Sequence, residues 1–384
     1  MRDLAINLIA AGIAFLLGVL AKSARDKYKT RRTGAELGRR LKRGNPGYTT
    51  PWIVAYYERC GRGEELYEST RLFPGHKLQF LVRPTWIFDS LDDGSLLIQD
   101  HPQHVIDAGL NKRALKRRGH AIKSASGDDW NDYHSCALGV LESASGPRIK
   151  VGLCRYLEYL SVSGALEDET FRAIERRSKR TPLRDQGFAS VDAAAGIGLH
   201  VHSIGMVTAL IYMDGGTPMV LIQRRSERVS TYAGALGVVP MFSCQTRDLT
   251  PQTTISLNNN FLRELYEELY GGVEAQAASV RATKDWYESA DELSRYVGAS
   301  ARENLRIVGF GFDARNGQLI IGSIYVIDDP DFARVEVPRM RGNWEISHID
   351  IVALRGAVIQ DLLLRDQFTP ACAFTLMRAL EMLS

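Results

Sequence analysis

Three glutamates crowd the stretch Phe261-Leu262-Arg263-Glu264-Leu265-Tyr266-Glu267-Glu268-Leu269-Tyr270-Gly271-Gly272. Read as a helix, Glu264, Glu267 and Glu268 fall at i, i+3 and i+4 and share one face. Leu262, Leu265 and Leu269 repeat on the other side and would fix the helix to a core. Gly271-Gly272 then stops it. Carboxylates gathered in this way repel one another unless a positive group compensates. A divalent cation carrying a phosphate would do so, because Mg²⁺ takes oxygen ligands and commonly shares them with substrate phosphates. Arg263 could pair with a neighbouring carboxylate. The alternative is a solvated acidic face that binds nothing.

Several elements would position that helix. Leu199 to Met213 and Pro218 to Gln223 read as strands around an Asp214-Gly215-Gly216 turn. Arg224, Arg225 and Arg228 follow the second strand; their guanidinium forks suit phosphate, and structural ion pairs are the alternative. Tyr232 and Phe242 could stack on a base or pack in a core. His200 and His202 alternate on one strand face. Beyond the helix, Arg306 to Phe312 and Gln318 to Ile327 bracket an Asn316-Gly317 turn, a hairpin signal. Trp344 to Ile346 and Ile349 to Val352 suggest another strand pair. Thr369-Pro370 opens a final helix, Pro370 to Met382.

The order Arg263-Glu264-Leu265-Tyr266-Glu267-Glu268 resembles the core of the Nudix box, R-E-U-x-E-E with U aliphatic. The outer positions of that pattern differ here. Its first glutamate falls on Ile255, its first glycine on Leu249, and its closing glycine comes one residue late, at Gly271. The resemblance covers residues 196–384 and implies an αβα sandwich. It implies that Glu264, Glu267 and Glu268 are catalytic and hold Mg²⁺. Arg224, Arg225, Tyr232 and Arg263 are the candidate ligand contacts, the arginines for phosphate and the tyrosine for a base.

The rest of the chain sets bounds. With 384 residues there is room for about two domains. A net charge of +3 selects no partner, and five scattered cysteines without a C-x-x-C suit a reducing compartment. Leu4 to Ala21 is an uncharged run of 18 residues. At helical rise it covers about 27 Å, close to a hydrocarbon core of about 30 Å. Lys22, Arg25, Lys27, Lys29, Arg31 and Arg32 follow, which places the C-terminal side in the cytoplasm of a single-pass inner-membrane protein. A cleaved signal peptide is the alternative. Asn7, Ala11, Ala14, Gly18 and Ala21 form a small-residue seam that could bring such helices together as a homo-oligomer.

The sequence therefore divides into a membrane helix (1–22), a basic linker (23–50), a mixed α+β unit (51–195) and the C-terminal unit (196–384). The linker suits anionic lipid, and no nucleic-acid partner is expected. In the third segment Leu78 to Val82, Ser95 to Ile98 and Ile149 to Leu153 read as strands, and Leu166 to Arg177 as a helix. His101, His104 and the basic cluster from Lys112 to Arg118 suggest no defined chemistry.

Two functional classes stay open. The first is a membrane-tethered, Mg²⁺-dependent hydrolase of a nucleoside diphosphate linked to another group. In the second, the whole architecture resembles the transmembrane-Nudix effectors of bacterial cyclic-oligonucleotide anti-phage systems (CBASS). That resemblance implies binding of a cyclic nucleotide, clustering and membrane damage.

Overall fold

The computed structural model describes residues 35–91, 96–99, 133–144, 146–196, 202–229, 231–244, 256–271, 291–293, 296, 304–365 and 367–383. Leu4 to Ala21 with its Asn7, Ala11, Ala14, Gly18 and Ala21 seam, Ile255, His101, His104, His200 and the basic cluster at 112–118 lie outside these residues. Among the described residues no helix is long and apolar enough to cross a membrane.

Among the described residues the fold is mixed α/β and built on thirteen connected strands. Its centre is β7 (His202–Asp214), buried along its first eleven residues. A strand buried on both faces reads as a continuous hydrophobic run rather than an alternating one. On one side β7 pairs in parallel with β12 (Leu319–Ile327), from Leu319↔Ile204 to Ile327↔Tyr212. On the other it turns at Gly215 and Gly216, both at positive φ, into β8 (Thr217–Arg225). β8 carries β9 (Leu236–Val238), and β10 (Met241–Ser243) pairs with β7. β11 (Leu305–Asp313) forms the expected hairpin with β12 around Gly317, whose φ is +74°.

The strand pair expected after Trp344 is instead one strand, β13 (Ile346–Ala353), antiparallel to β8. Ser347-His348 interrupts the apolar pattern because the register shifts there, as at a bulge, and not because the chain turns.

Helices cover both faces of β12. Helix α4 (Leu257–Leu269) stacks Phe261 on Tyr325 with ring centroids 4.9 Å apart. On the opposite face the last helix, α6 (Pro370–Leu383), comes so close that a Cβ at Gly322 would lie 2.7 Å from Thr375 Oγ1. Tyr325 and Gly322 differ by an odd number of residues, so they must point to opposite sides of the strand.

The division expected at 195/196 is not a break in the sheet. β2 (Lys77–Leu81) pairs with β11 through Phe312↔Leu81 and Asp313↔Phe80, and β3 (Ile87–Leu91) pairs with β11 as well. β5 (Tyr133–Ser143), which forms a hairpin with β6 (Gly146–Arg155), meets β7 at Ala137↔His202. Phe374 of α6 packs against both Tyr67 and Phe80, at 4.7 and 4.9 Å between centroids. Helix α3 (Tyr156–Arg176) and the short helix Pro182–Gly187 are locked to the same body: buried Arg184 bonds Thr170 Oγ1 at 2.7 Å and Ala314 O. The shift to Ala, Gly and Ser near residue 190 marks a bend and a short helix, Val191–Ala195 capped by Ser190, within one core.

Gly311 shows how close that joint is. A Cβ there would stand 2.4 Å from Leu81 O and 2.7 Å from a Phe80 ring atom. Gly311→Ala should therefore prise β2 from β11 and cost roughly 1–3 kcal/mol, as overpacking does. Denaturant unfolding would show it as a lower midpoint.

Candidate functional site

Ser256 caps α4, accepting the Asn259 N–H at 3.1 Å, and Gly271 ends it at φ +67°. The leucine stripe is buried as its spacing predicts, and so is the acidic face: Glu264, Glu267 and Glu268 are 8, 4 and 1 % exposed. The solvated alternative is thereby removed. Burial of carboxylates demands partners, because a buried charge without compensation costs several kcal/mol.

The partners divide the acidic face in two. Arg263, itself buried, reaches Glu264 at 2.5 Å and Glu267 at 3.2 Å, with Asn260 Oδ1 at 3.4 Å. It thus forms the pairing with neighbouring carboxylates that its place in the helix allows. Glu268 faces the sheet. It accepts the Met241 N–H at 3.2 Å and lies 3.5 Å from Gln223 Nε2, whose other bond goes to Val238 O at 2.9 Å. Gln223 escaped the sequence reading, although a glutamine closing the apolar run Val220-Leu221-Ile222 was the available signal.

Glu345 completes the cluster. Its carbonyl accepts the Ser226 N–H at 2.6 Å, which fixes the residue beside the end of β8. Its charge acts on both Glu264 and Glu268. Burial pushes the Glu264 carboxyl up to about 8, with Arg263 opposing and Glu267 and Glu345 adding to the rise. Burial also raises Glu268 well above the carboxylate range, reinforced by Glu264 and Glu345 and opposed by the Met241 N–H and Arg225. Asp350, four residues along β13 from Ile346, lies away from this group and pairs with exposed His348 at 2.9 Å.

The oxygen-only donor set fits a hard divalent cation in kind. Among the described residues no three His, Cys, Asp or Glu side chains are placed to cage a metal by themselves. Mg²⁺ commonly takes one or two carboxylates and completes its shell with water and phosphate, so Glu264 and Glu268 suffice as protein ligands. Glu267 shares Arg263 with Glu264 and adds to the rise of the Glu264 carboxyl, so it stands beside that residue.

The adjacent arginines leave β8 on opposite sides. Arg225 is buried, donates Nε–H to Thr231 O at 3.3 Å and acts on Glu268. Arg224 is exposed and donates to Gly234 O at 3.0 Å.

Of the two roles open to Tyr232 the fold shows core packing: its OH donates to Asp313 Oδ2 at 2.6 Å, and the Arg315 guanidinium sits 4.1 Å from its ring centroid. Arg315 in turn meets Glu167 of α3 at 2.9 Å. Burial pushes the Asp313 carboxyl up to about 6, with the Tyr232 bond holding it down. Tyr232→Phe should raise Asp313 further and cost about 1–3 kcal/mol for the abandoned buried acceptor. Urea unfolding measures this; a base-stacking residue would instead lose ligand affinity with stability unchanged. His202 is also buried, between Gly317 O at 2.6 Å and Ala194 O at 3.0 Å.

No family model matches the sequence, and no curated protein matches it. Among solved structures the chain is similar to the NUDIX domain of Shewanella oneidensis NrtR complexed with ADP ribose, at 13% identity and a TM-score of 0.29, covering 48% of this chain and 89% of that one. It is similar to a MutT/nudix family protein from Enterococcus faecalis at 13% identity and TM-score 0.25, covering 40% of this chain and 44% of the other. A third is a Nudix hydrolase from M. Smegmatis, RenU, at 16% identity and TM-score 0.25, covering 47% and 85%.

Proposed function

We propose that this protein is a Mg²⁺-dependent Nudix-type hydrolase of a nucleoside diphosphate linked to a second group. The observation that carries this reading is the burial of Glu264 and Glu268 together, one turn apart, with Glu345 acting on both. Such a concentration of carboxyl groups destabilises a fold unless a proton or a cation neutralises it, and the all-oxygen set suits a hard cation. The order Arg263-Glu264-Leu265-Tyr266-Glu267-Glu268 on the same helix agrees with it.

Glu264 and Glu268 would hold the metal, which when bound would polarise a phosphoryl oxygen and lower the pKa of a water. The remaining roles belong to the chain. The Met241 N–H orients Glu268. Arg263 holds Glu264 and Glu267 in place and thereby fixes the acidic face. In the absence of a cation at neutral pH, the Glu264 carboxyl keeps its proton. Arg225 tempers the charge on Glu268, and Arg224, exposed at the end of β8, is the contact open to a phosphate.

A second reading is favoured by one feature of the sequence, the uncharged run Leu4 to Ala21 followed by basic residues. In it the same site senses a cyclic oligonucleotide without cleaving it, and an inner-membrane homo-oligomer damages the membrane, as in the CBASS effectors that the architecture resembles. The two readings separate in one assay. The full chain in detergent is mixed with Mg²⁺ and ADP-ribose, or with cyclic di- and trinucleotides, and both turnover and retained ligand are followed. Hydrolysis of ADP-ribose that requires Mg²⁺ supports the first. Retention of an intact cyclic nucleotide with an increase in assembly size supports the second and overturns the first.

A further inference from the structure

Helix α1 (residues 35–44) packs against the stretch that leaves the site strand. Arg40 donates an Nη2 proton to Val229 O at 2.9 Å. Gly44 is buried so closely that a Cβ there would lie 2.2 Å from Ala233 O and 2.9 Å from Ala233 N. The Leu41 side chain stands 3.0 Å from where a Cβ of Gly234 would be. These contacts take hold of residues 229–234, between β8 and β9.

The same stretch is tied to the carboxylate cluster from its other end. Gly234 N–H donates to Arg225 O at 3.1 Å, and Arg225 N–H donates to Ala235 O at 2.8 Å. The Arg225 side chain reaches back to Thr231 O and is the cation that tempers Glu268. Ser226, the next residue, holds the Glu345 carbonyl. In the middle stands Tyr232 at φ +53°. A bulky residue enters the left-handed region at a cost and stays there only when its surroundings over-determine it.

We propose that α1 is a clasp that sets the conformation of residues 226–235 and, through Arg225 and Ser226, the placement of Glu268 and Glu345. Helix α1 thereby controls the affinity of the site, and a ligand bound there must bias α1 by the same factor, since coupling between sites is reciprocal. The control passes through backbone contacts that need no ligand. Only the final step, a change of affinity, rests on the cluster being the ligand site.

Gly44→Ala in the full chain tests the clasp with one methyl group. Alanine ordinarily strengthens a helix relative to glycine, so any loosening comes from the clash with the Ala233 backbone. Arg40→Ala removes one contact without a clash and serves where the first variant folds poorly. Three amides are read by hydrogen exchange: Gly234, Ala235 and Met241, whose N–H is held by Glu268. All three should exchange faster in both variants, and the KM for ADP-ribose turnover with Mg²⁺ should rise about tenfold, within the usual range of coupling between sites. Unchanged exchange in both variants overturns the proposal. So does faster exchange at Gly234 and Ala235 with Met241 unaltered, because the effect then stops short of the site. An unchanged KM for ADP-ribose in variants whose three amides are loosened also overturns it. If all three amides respond while the wild-type chain neither binds nor turns over ADP-ribose, the clasp stands and the proposed ligand fails.

Discussion

Replacing Glu264 and Glu268 together by glutamine is expected to stabilise the metal-free protein at pH 8 while abolishing its Mg²⁺-dependent turnover. The stabilisation follows from linkage. Glu264 titrates near 4.5 in the unfolded chain and at about 8 in the folded one. Between those values the native state holds a proton that the unfolded state has released. The contribution to stability is therefore fully present below about 4.5 and is lost as pH rises through about 8. Its size is on the order of a few kcal/mol. Glutamine carries no charge at any pH, so the variant should lack that fall. Thermal unfolding from pH 5 to pH 9 without divalent ions measures the slope. In the wild-type chain, adding Mg²⁺ at pH 8 should raise the midpoint, since an ion that binds only the native state stabilises it by mass action; in the double variant it should not. Turnover of ADP-ribose should drop by at least about a hundredfold, the scale of losing electrostatic stabilisation at a reacting phosphate. Undiminished turnover in the double variant would place the chemistry elsewhere.

Arg263→Met should have the largest effect on folding. The guanidinium is 5 % exposed and is bound to Glu264 at 2.5 Å and Glu267 at 3.2 Å. Removing one member of a buried ion pair leaves the other charged and unpaired, which costs roughly 3–5 kcal/mol. Methionine fills much of the same volume, so the loss reports on charge and not on a cavity. Urea unfolding at pH 7 gives its size. Above about pH 8 the loss should grow, because Glu264 then ionises in the native state and faces no guanidinium. Arg263→Lys should recover part of the stability, since an ammonium supplies the charge but not the two-pronged geometry. A loss below about 1 kcal/mol for Arg263→Met would mean that the pair contributes no more than an exposed one.

The two variants separate roles that the sequence had joined. Glu264, Glu267 and Glu268 are equivalent by spacing alone. In the folded chain Glu267 is drawn to Arg263, while Glu268 turns to Met241 and Gln223 on the sheet. Spacing along a helix fixes which residues share a face. It does not fix which neighbours that face meets.

Several features were already determined by the sequence. The leucine stripe required a helix at 257–269, and Gly271 required it to end. The Asn316-Gly317 and Asp214-Gly215-Gly216 turns fixed both hairpins, because only a few residue types accept positive φ at tight turns. The Pro370 start of the last helix was legible for the same local reason. Tertiary structure alone decided the rest. Tyr232 and Arg225 look like ligand contacts in a polar stretch, but Asp313 and Arg315, some eighty residues later, and Glu268 claim them. The expected boundary at 195/196 is crossed because β2 and β3 complete an edge that β11 leaves open, a pairing between segments more than two hundred residues apart. Local sequence records backbone preference and periodicity. Which buried charges meet, and which strand edge is covered, depend on long-range contacts that form only when the whole sheet assembles.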